Sequence, residues 1–260
     1  MKQRFISAII MAIIFIPLLI IGKLPFNIFI ALLGMGAIYE LLKLKPNLPL
    51  IIKLFTYLET LIVIFFNILK LTGYENTLLM LMILINLSLL VFIDDKDKYN
   101  YKDAFTLIGI ILFIGLSFKN FIFLRDRSLS LLIYLFLVSI TTDSFALFTG
   151  KLFGKHKLAP NISPNKTIEG SLGGSLVGTI VSSIFYILVI QDYTSVLSII
   201  GLTFCLTIIG QLGDLIKSSI KRYENIKDFS NLIPGHGGII DRLDSIIFVM
   251  MTYILIMGLF

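Results

Sequence analysis

The sequence predicts an all-α fold, a polytopic bundle of transmembrane helices. Three observations carry that expectation. The 260 residues are 57% hydrophobic and only 15% charged, against about 45–50% and about 25% in soluble domains. The mean hydropathy is +0.97. Apolar runs of 15 to 22 residues recur along the whole chain without period-2 alternation, which argues against a β-barrel. The composition also excludes disorder. Cys205, the single cysteine, excludes an internal disulfide.

A spanning helix needs about 20 mostly apolar residues. Nine runs qualify as candidates: 5–21, 26–44, 55–71, 77–93, 104–118, 131–149, 170–190, 196–215 and 239–260. The first follows Lys2 and Arg4 but ends in Ile-Ile-Gly-Lys, with no small-residue cleavage site, so it reads as an uncleaved span. The second carries Glu40, which fits either a paired structural residue or a lipid-headgroup cavity. The third is interrupted by Lys53 and Glu59, the latter read as structural, and the fifth is short. The seventh carries Gly170, Gly174 and Gly178, a small-xxx-small ladder suited to close helix packing. The ninth needs an early start: Ser245 to Phe260 is 16 residues, about 24 Å of helix. Starting before Asp241 completes a span and leaves Asp241 and Asp244, i and i+3, at its mouth. No linker divides the chain. It reads as one integral membrane domain, 1–260, with hydrophobic spans in 1–125 and the polar helices and loops in 126–260.

The net charge of +6 and pI of 9.3 do not require nucleic acid as a partner. Lys and Arg collect on the cytoplasmic side of membrane proteins. With nine spans and the N-terminus inside, 17 of the 22 Lys and Arg residues fall inside. This predicts N-in, C-out. The two richest polar segments, after the sixth and eighth spans, then share the cytoplasmic face.

Those segments mix carboxylates, cations, glycines and hydroxyls. Asp143 and Asp214 sit near the ends of apolar runs, where an unpaired carboxylate costs several kcal/mol. With Asp241 and Asp244 they form a set of hard oxygen donors. Two histidines and one cysteine in the whole chain exclude a structural zinc site. Oxygen donors suit Mg²⁺, which uses one or two carboxylates and fills its other positions with water and phosphates. Lys217 and Lys221 are i and i+4 on the extension of the eighth run, with Arg222 adjacent. Lys166 stands in Ser-Pro-Asn-Lys-Thr. Lys151, Lys155 and Lys157 are read mainly as topology and anionic-lipid contacts. Gly235, Gly237 and Gly238 flank His236 and permit close backbone approach to a ligand. No Walker motif is present. The pattern suggests a metal–polyphosphate site.

The 27-residue segment from Ser218-Ser-Ile-Lys-Arg through Lys227-Asp228 and Pro234-Gly-His-Gly-Gly238 to Asp241-Arg-Leu-Asp244 resembles the signature of the phosphatidate cytidylyltransferases. Gly154-Lys-His-Lys-Leu-Ala-Pro and Ser163-Pro-Asn-Lys-Thr-Ile-Glu-Gly170 resemble that family's other polar block. At Asp143 the family often has Asp-Thr-Gly-Ala, and this chain has Asp-Ser-Phe-Ala. The resemblance is strongest over 143–244. It implies transfer of the cytidylyl group of CTP to phosphatidate, giving CDP-diacylglycerol and pyrophosphate. It also implies dependence on Mg²⁺, with room for a second cation, and an integral protein of a bacterial-type inner membrane that forms a homodimer.

On that resemblance, Asp214 and Asp241 are the principal metal ligands. Asp143, Asp228 and Asp244 are secondary ones. Lys221 and Arg222 act on the reacting phosphates beside the two principal aspartates. Ser163, Lys166, Lys227 and Arg242 hold substrate, and His236, Gly237 and Gly238 cradle the triphosphate. Two other readings remain. A CTP-dependent polyprenol or phytol kinase would move the γ-phosphate to a lipid alcohol. An ion-coupled secondary transporter would use the same acids for coupling.

Overall fold

The computed structural model describes residues 2–71, 73–93, 95–191, 195–235 and 237–259, without the side chains of 2–6, 8 and 259. Among these residues there are nine α-helices: α1 (Lys2–Ile21), α2 (Lys23–Leu42), α3 (Leu50–Ile64), α4 (Glu75–Phe92), α5 (Tyr101–Arg127), α6 (Leu129–Phe153), α7 (Ile168–Phe185), α8 (Val196–Tyr223) and α9 (Ile240–Leu259). A π-helical turn, Tyr186–Ile190, extends α7. Six helices are long and apolar enough to cross a membrane: α2, α4, α5, α6, α7 with its π turn, and α8. Large apolar side chains lie open along them, including Leu32, Phe92 and Leu197. In water such surfaces would be costly; in a bilayer they face lipid. The protein is an integral membrane protein.

Two elements differ from the sequence expectation. The third helix is Leu50–Ile64 rather than 55–71. Pro49 starts it early, and the apolar stretch after Ile64 folds into turns that bury Phe66. Its 15 residues make about 22 Å of helix, short of the roughly 30 Å hydrocarbon core. The fifth helix runs Tyr101–Arg127 rather than 104–118. Lys119, which reads as the end of a span, lies within it. Its ammonium pairs with Glu75 at 2.8 Å and sits 5.3 Å from the centre of the Phe66 ring. Lys53 and Lys119 are both helical.

The chain divides into two compact units. One comprises 12–123. Its core gathers Val63, Phe66, Met82 and Ile111. Gly115 allows α5 to meet α3 closely: a Cβ there would stand 2.7 Å from a methyl of Val63. Inside this unit Glu59 accepts a hydrogen bond from the Asn86 amide at 2.8 Å, and the Tyr99 hydroxyl donates to the Asn86 carbonyl at 2.7 Å. Burial, with the nearby Glu59 and Asp103 charges, pushes the Tyr99 hydroxyl up to about 12. Glu59 is thus built into the packing, as a structural residue would be.

The other unit comprises 1–11 and 124–260. Here α6 and α7 pack along the predicted glycine ladder. A Cβ at Gly174 would lie 2.6 Å from the carbonyl of Thr142, and one at Gly170 2.7 Å from that of Ala146. The hydroxyls of Ser128, Thr167 and Ser195 cap α6, α7 and α8 by accepting backbone N–H groups of the first turn. Between α6 and α7 the all-α expectation is amended by an antiparallel hairpin, β1 (Lys157–Ala159) and β2 (Ser163–Thr167), with Lys157 opposite Thr167 and Ala159 opposite Ser163.

Candidate active site

The hairpin is anchored by Glu169 in the first turn of α7. Its carboxylate accepts the N–H groups of Lys155 (3.0 Å) and His156 (3.2 Å) and lies 2.6 Å from the His156 ring nitrogen. Negative charge also suits the N-terminal turn of a helix. The Ile168 N–H closes onto the His156 carbonyl. Thus Lys166, one residue before the Thr167 cap, projects from a fixed base.

Lys166 reaches Asp214 on α8, with Nζ 2.5 Å from Oδ2. The other oxygen of Asp214 lies 3.2 Å from Lys217, one helical turn further on. Lys217 also pairs with Asp244 of α9 and donates to the backbone carbonyl of Asp241 at 3.3 Å. Asp214 and Asp244 thus share the Lys217 ammonium. Asp143 on α6 lines a small cavity with Gly210 of α8 and Ser245 of α9. Gln211, one turn before Asp214, bonds to Ser175 at 2.8 Å and holds α8 against α7. Gly213 lets α9 approach α8, since a Cβ would meet the Phe248 ring at 2.6 Å.

A second group adjoins through Asp241. Its Oδ1 receives Lys221 at 2.8 Å. Its Oδ2 accepts the N–H groups of Phe229 and Gly238, each at 3.0 Å. These bonds tie Phe229 and Gly238 to the start of α9. Gly235 and Gly237 have φ of 77° and 86°, where a side chain would be strained. A Cβ at Gly237 would stand 3.1 Å from Asp241 and 3.4 Å from Asp228. The Gly237 and Gly238 amides bond within the loop, to the Ile233 carbonyl and Asp241.

The structure therefore gathers Asp143, Lys166, Asp214 and Asp244, and joins them to Lys221, Asp228, Gly237, Gly238 and Asp241. Arg222 points its Nε at the Ile162 carbonyl (3.3 Å), beside Ser163. Lys227 and Arg242 are exposed. His236 lies outside the described residues. Lys217 was legible as the i+4 neighbour of Lys221, but nothing in the spacing shows that it bridges two aspartates. Glu169 stands in the quoted Ser163–Gly170 block and Gln211 three residues before Asp214, but spacing marks neither as a site residue, because their role depends on which backbone groups the hairpin and α7 present.

Such an array suits recognition of a polyphosphate. Among the described residues no three Asp, Glu, His or Cys side chains form a ready metal cage. Mg²⁺ does not require one. Asp214 and Asp241 each hold an ammonium that phosphate oxygens can claim, which frees a carboxylate oxygen for a cation. The donor set fits Mg²⁺.

The profile of the cytidylyltransferase family matches residues 2–260. The chain belongs to that family. Phosphatidate cytidylyltransferase of Bacillus subtilis (strain 168) is 37% identical to it over 270 residues, covering 100% of this chain and 98% of that protein. The enzyme of the same name from Staphylococcus aureus (strain COL) is 36% identical over 254 residues, covering 96% of each chain. That from Staphylococcus haemolyticus (strain JCSC1435) is 35% identical, again over 96% of each. The similarity to these cytidylyltransferases spans both compact units, whereas the quoted motifs lie between 143 and 244.

Proposed function

We propose that the protein is a phosphatidate cytidylyltransferase: CTP and phosphatidate give CDP-diacylglycerol and pyrophosphate. The observation that carries this reading is the pairing of Asp214 with Lys166 and of Asp241 with Lys221, in a chain alignable end to end with enzymes of that name. A phosphate oxygen of phosphatidate attacks the α-phosphorus of CTP. The bond from the α-phosphorus to the bridging oxygen breaks, and pyrophosphate leaves. Such transfers depend on positioning and charge stabilisation. The attacking phosphate is already anionic near neutral pH, so no general base is needed.

In the free protein Lys166 and Lys221 neutralise their aspartates. When CTP enters, the two ammonium groups turn to its phosphates. Asp214 and Asp241 would then be the residues to hold Mg²⁺, with Asp143, Asp228 and Asp244 around them. Bound there, Mg²⁺ supplies charge neutralisation between two polyanions. Arg222, Arg242 and Lys227 add positive charge at the rim, Ser163 adds a hydroxyl beside Arg222, and Gly235, Gly237 and Gly238 shape the mouth. In a nine-span reading the distribution of Lys and Arg supports a cytoplasmic site in a bacterial-type inner membrane, N-in and C-out; that count needs α3, 15 residues long, to cross a locally thinned bilayer. The motif resemblance implies a homodimer.

The test is purified protein with CTP, phosphatidate and Mg²⁺, with detection of the liponucleotide. Asp214→Asn and Asp241→Asn should each abolish its formation while still inserting in the membrane. Near-normal turnover in both would remove the site assignment.

A further inference from the structure

Lys217 differs from the other cations of the site. Lys166 and Lys221 each serve one carboxylate. Lys217 contacts Asp214, Asp244 and the Asp241 carbonyl together. Its side chain is only 10% exposed, against 25% for Lys166. Lys166 stands on a two-stranded hairpin, whereas Lys217 rises from α8, pinned by Gln211 against α7 and by Gly213 against α9. Lys217, held by three oxygens where Lys166 and Lys221 each meet one carboxylate, is thus the last of the three that a phosphate can draw away. The two carboxyls share this one ammonium, and like charges brought together on one cation depend on it to stay ionised.

We infer that Lys217 is a fixed internal cation, which takes the place that a second metal ion would otherwise fill. Asp214 and Asp244 form a pair closed by its ammonium. The site then accepts one divalent ion, on the face of Asp214 that Lys166 vacates. Lys217 is a positioning residue and need not touch substrate. This rests on the metal–nucleotide reading of the site, and sets how many divalent ions that site takes.

The test counts Mn²⁺ bound per chain by electron paramagnetic resonance to the purified full-length protein saturated with CTP, in the absence of phosphatidate, so that Lys166 has left Asp214. The wild type should bind one Mn²⁺ per chain. Lys217→Met and Lys217→Gln should bind two, or one about tenfold more tightly, because a positive charge beside the ion is gone. Lys217→Arg should bind one, as wild type. Zero or two ions in the wild type would overturn the inference. So would unchanged stoichiometry and affinity in the folded Met and Gln variants. If neither variant folds, the wild-type count decides alone. Liponucleotide synthesis is measured separately, so loss of the functional reading and loss of the single-ion reading are different results.

Discussion

Lys166 and Asp214 are 48 positions apart in the chain, yet Nζ of the first lies 2.5 Å from Oδ2 of the second. A hairpin clamped by Glu169 carries the lysine. A helix pinned to α7 through Gln211 carries the aspartate. The two polar segments of the sequence thus become two sides of one site. Their charges are balanced in the free protein, and available for exchange when a polyanion arrives.

The first prediction concerns Lys166. Replacement by Met should lower kcat/KM for CTP by about a hundredfold, the scale of losing one charge-stabilising contact in a transfer reaction. Asp214 keeps Lys217 as a partner, so the melting temperature should stay near wild type. Steady-state kinetics and thermal melting in the same detergent check both parts.

Asp241 orders the loop that follows α8. Asp241→Ala leaves Lys221 and the Phe229 and Gly238 amides without their acceptor. Breaking a buried ion pair from one side costs about 3–5 kcal/mol. Limited proteolysis should cut within 229–238 several times faster than in wild type. Unaltered protease resistance would count against the loop-ordering role.

Helix packing beside the site depends on Gly174. Its Cβ position lies 2.6 Å from the Thr142 carbonyl, so Gly174→Leu should destabilise by about 1–3 kcal/mol, with further loss as α6 shifts Asp143. Gly201 on α8 has open space around its Cβ position. Gly201→Ala should be neutral or stabilising by up to about 1 kcal/mol. Thermal melting of the two variants gives the comparison.

Asn86 supports a buried carboxylate far from the motif segments in sequence. Asn86→Leu removes the hydrogen bond to Glu59 and should cost about 1–3 kcal/mol. The double change Glu59→Leu with Asn86→Leu should recover much of it, since an apolar pair strands no polar group. Activity per folded molecule should be unchanged in both. A selective loss of turnover would instead give Glu59 a functional role.

The helices were legible because apolar runs report them directly, and α2, α4 and α6 to α9 fall close to their expected places. α3 was shifted because residues 65–71 are as apolar as a helix, yet bury Phe66 through turns. α5 was cut short because Lys119 reads as a terminus unless its partner Glu75 is known. The hairpin left no alternating pattern, since five residues of β2 include Pro164 and only one pairing neighbour. At the site, residue types were visible and pairings were not. Asp241 reads as a free ligand in the sequence, whereas its carboxylate holds Lys221 and two amides. Lys217 reads as one more basic residue, whereas three-dimensional packing makes it the link between two aspartates.

The most direct measurement follows the phosphorus. Purified protein is incubated with phosphatidate, Mg²⁺ and CTP labelled at either the α- or the γ-phosphate. The expected result is α-label in the lipid product and γ-label in pyrophosphate. Label from the γ-phosphate in lipid would instead show a kinase, and no labelled lipid from either CTP would contradict cytidylyl transfer outright.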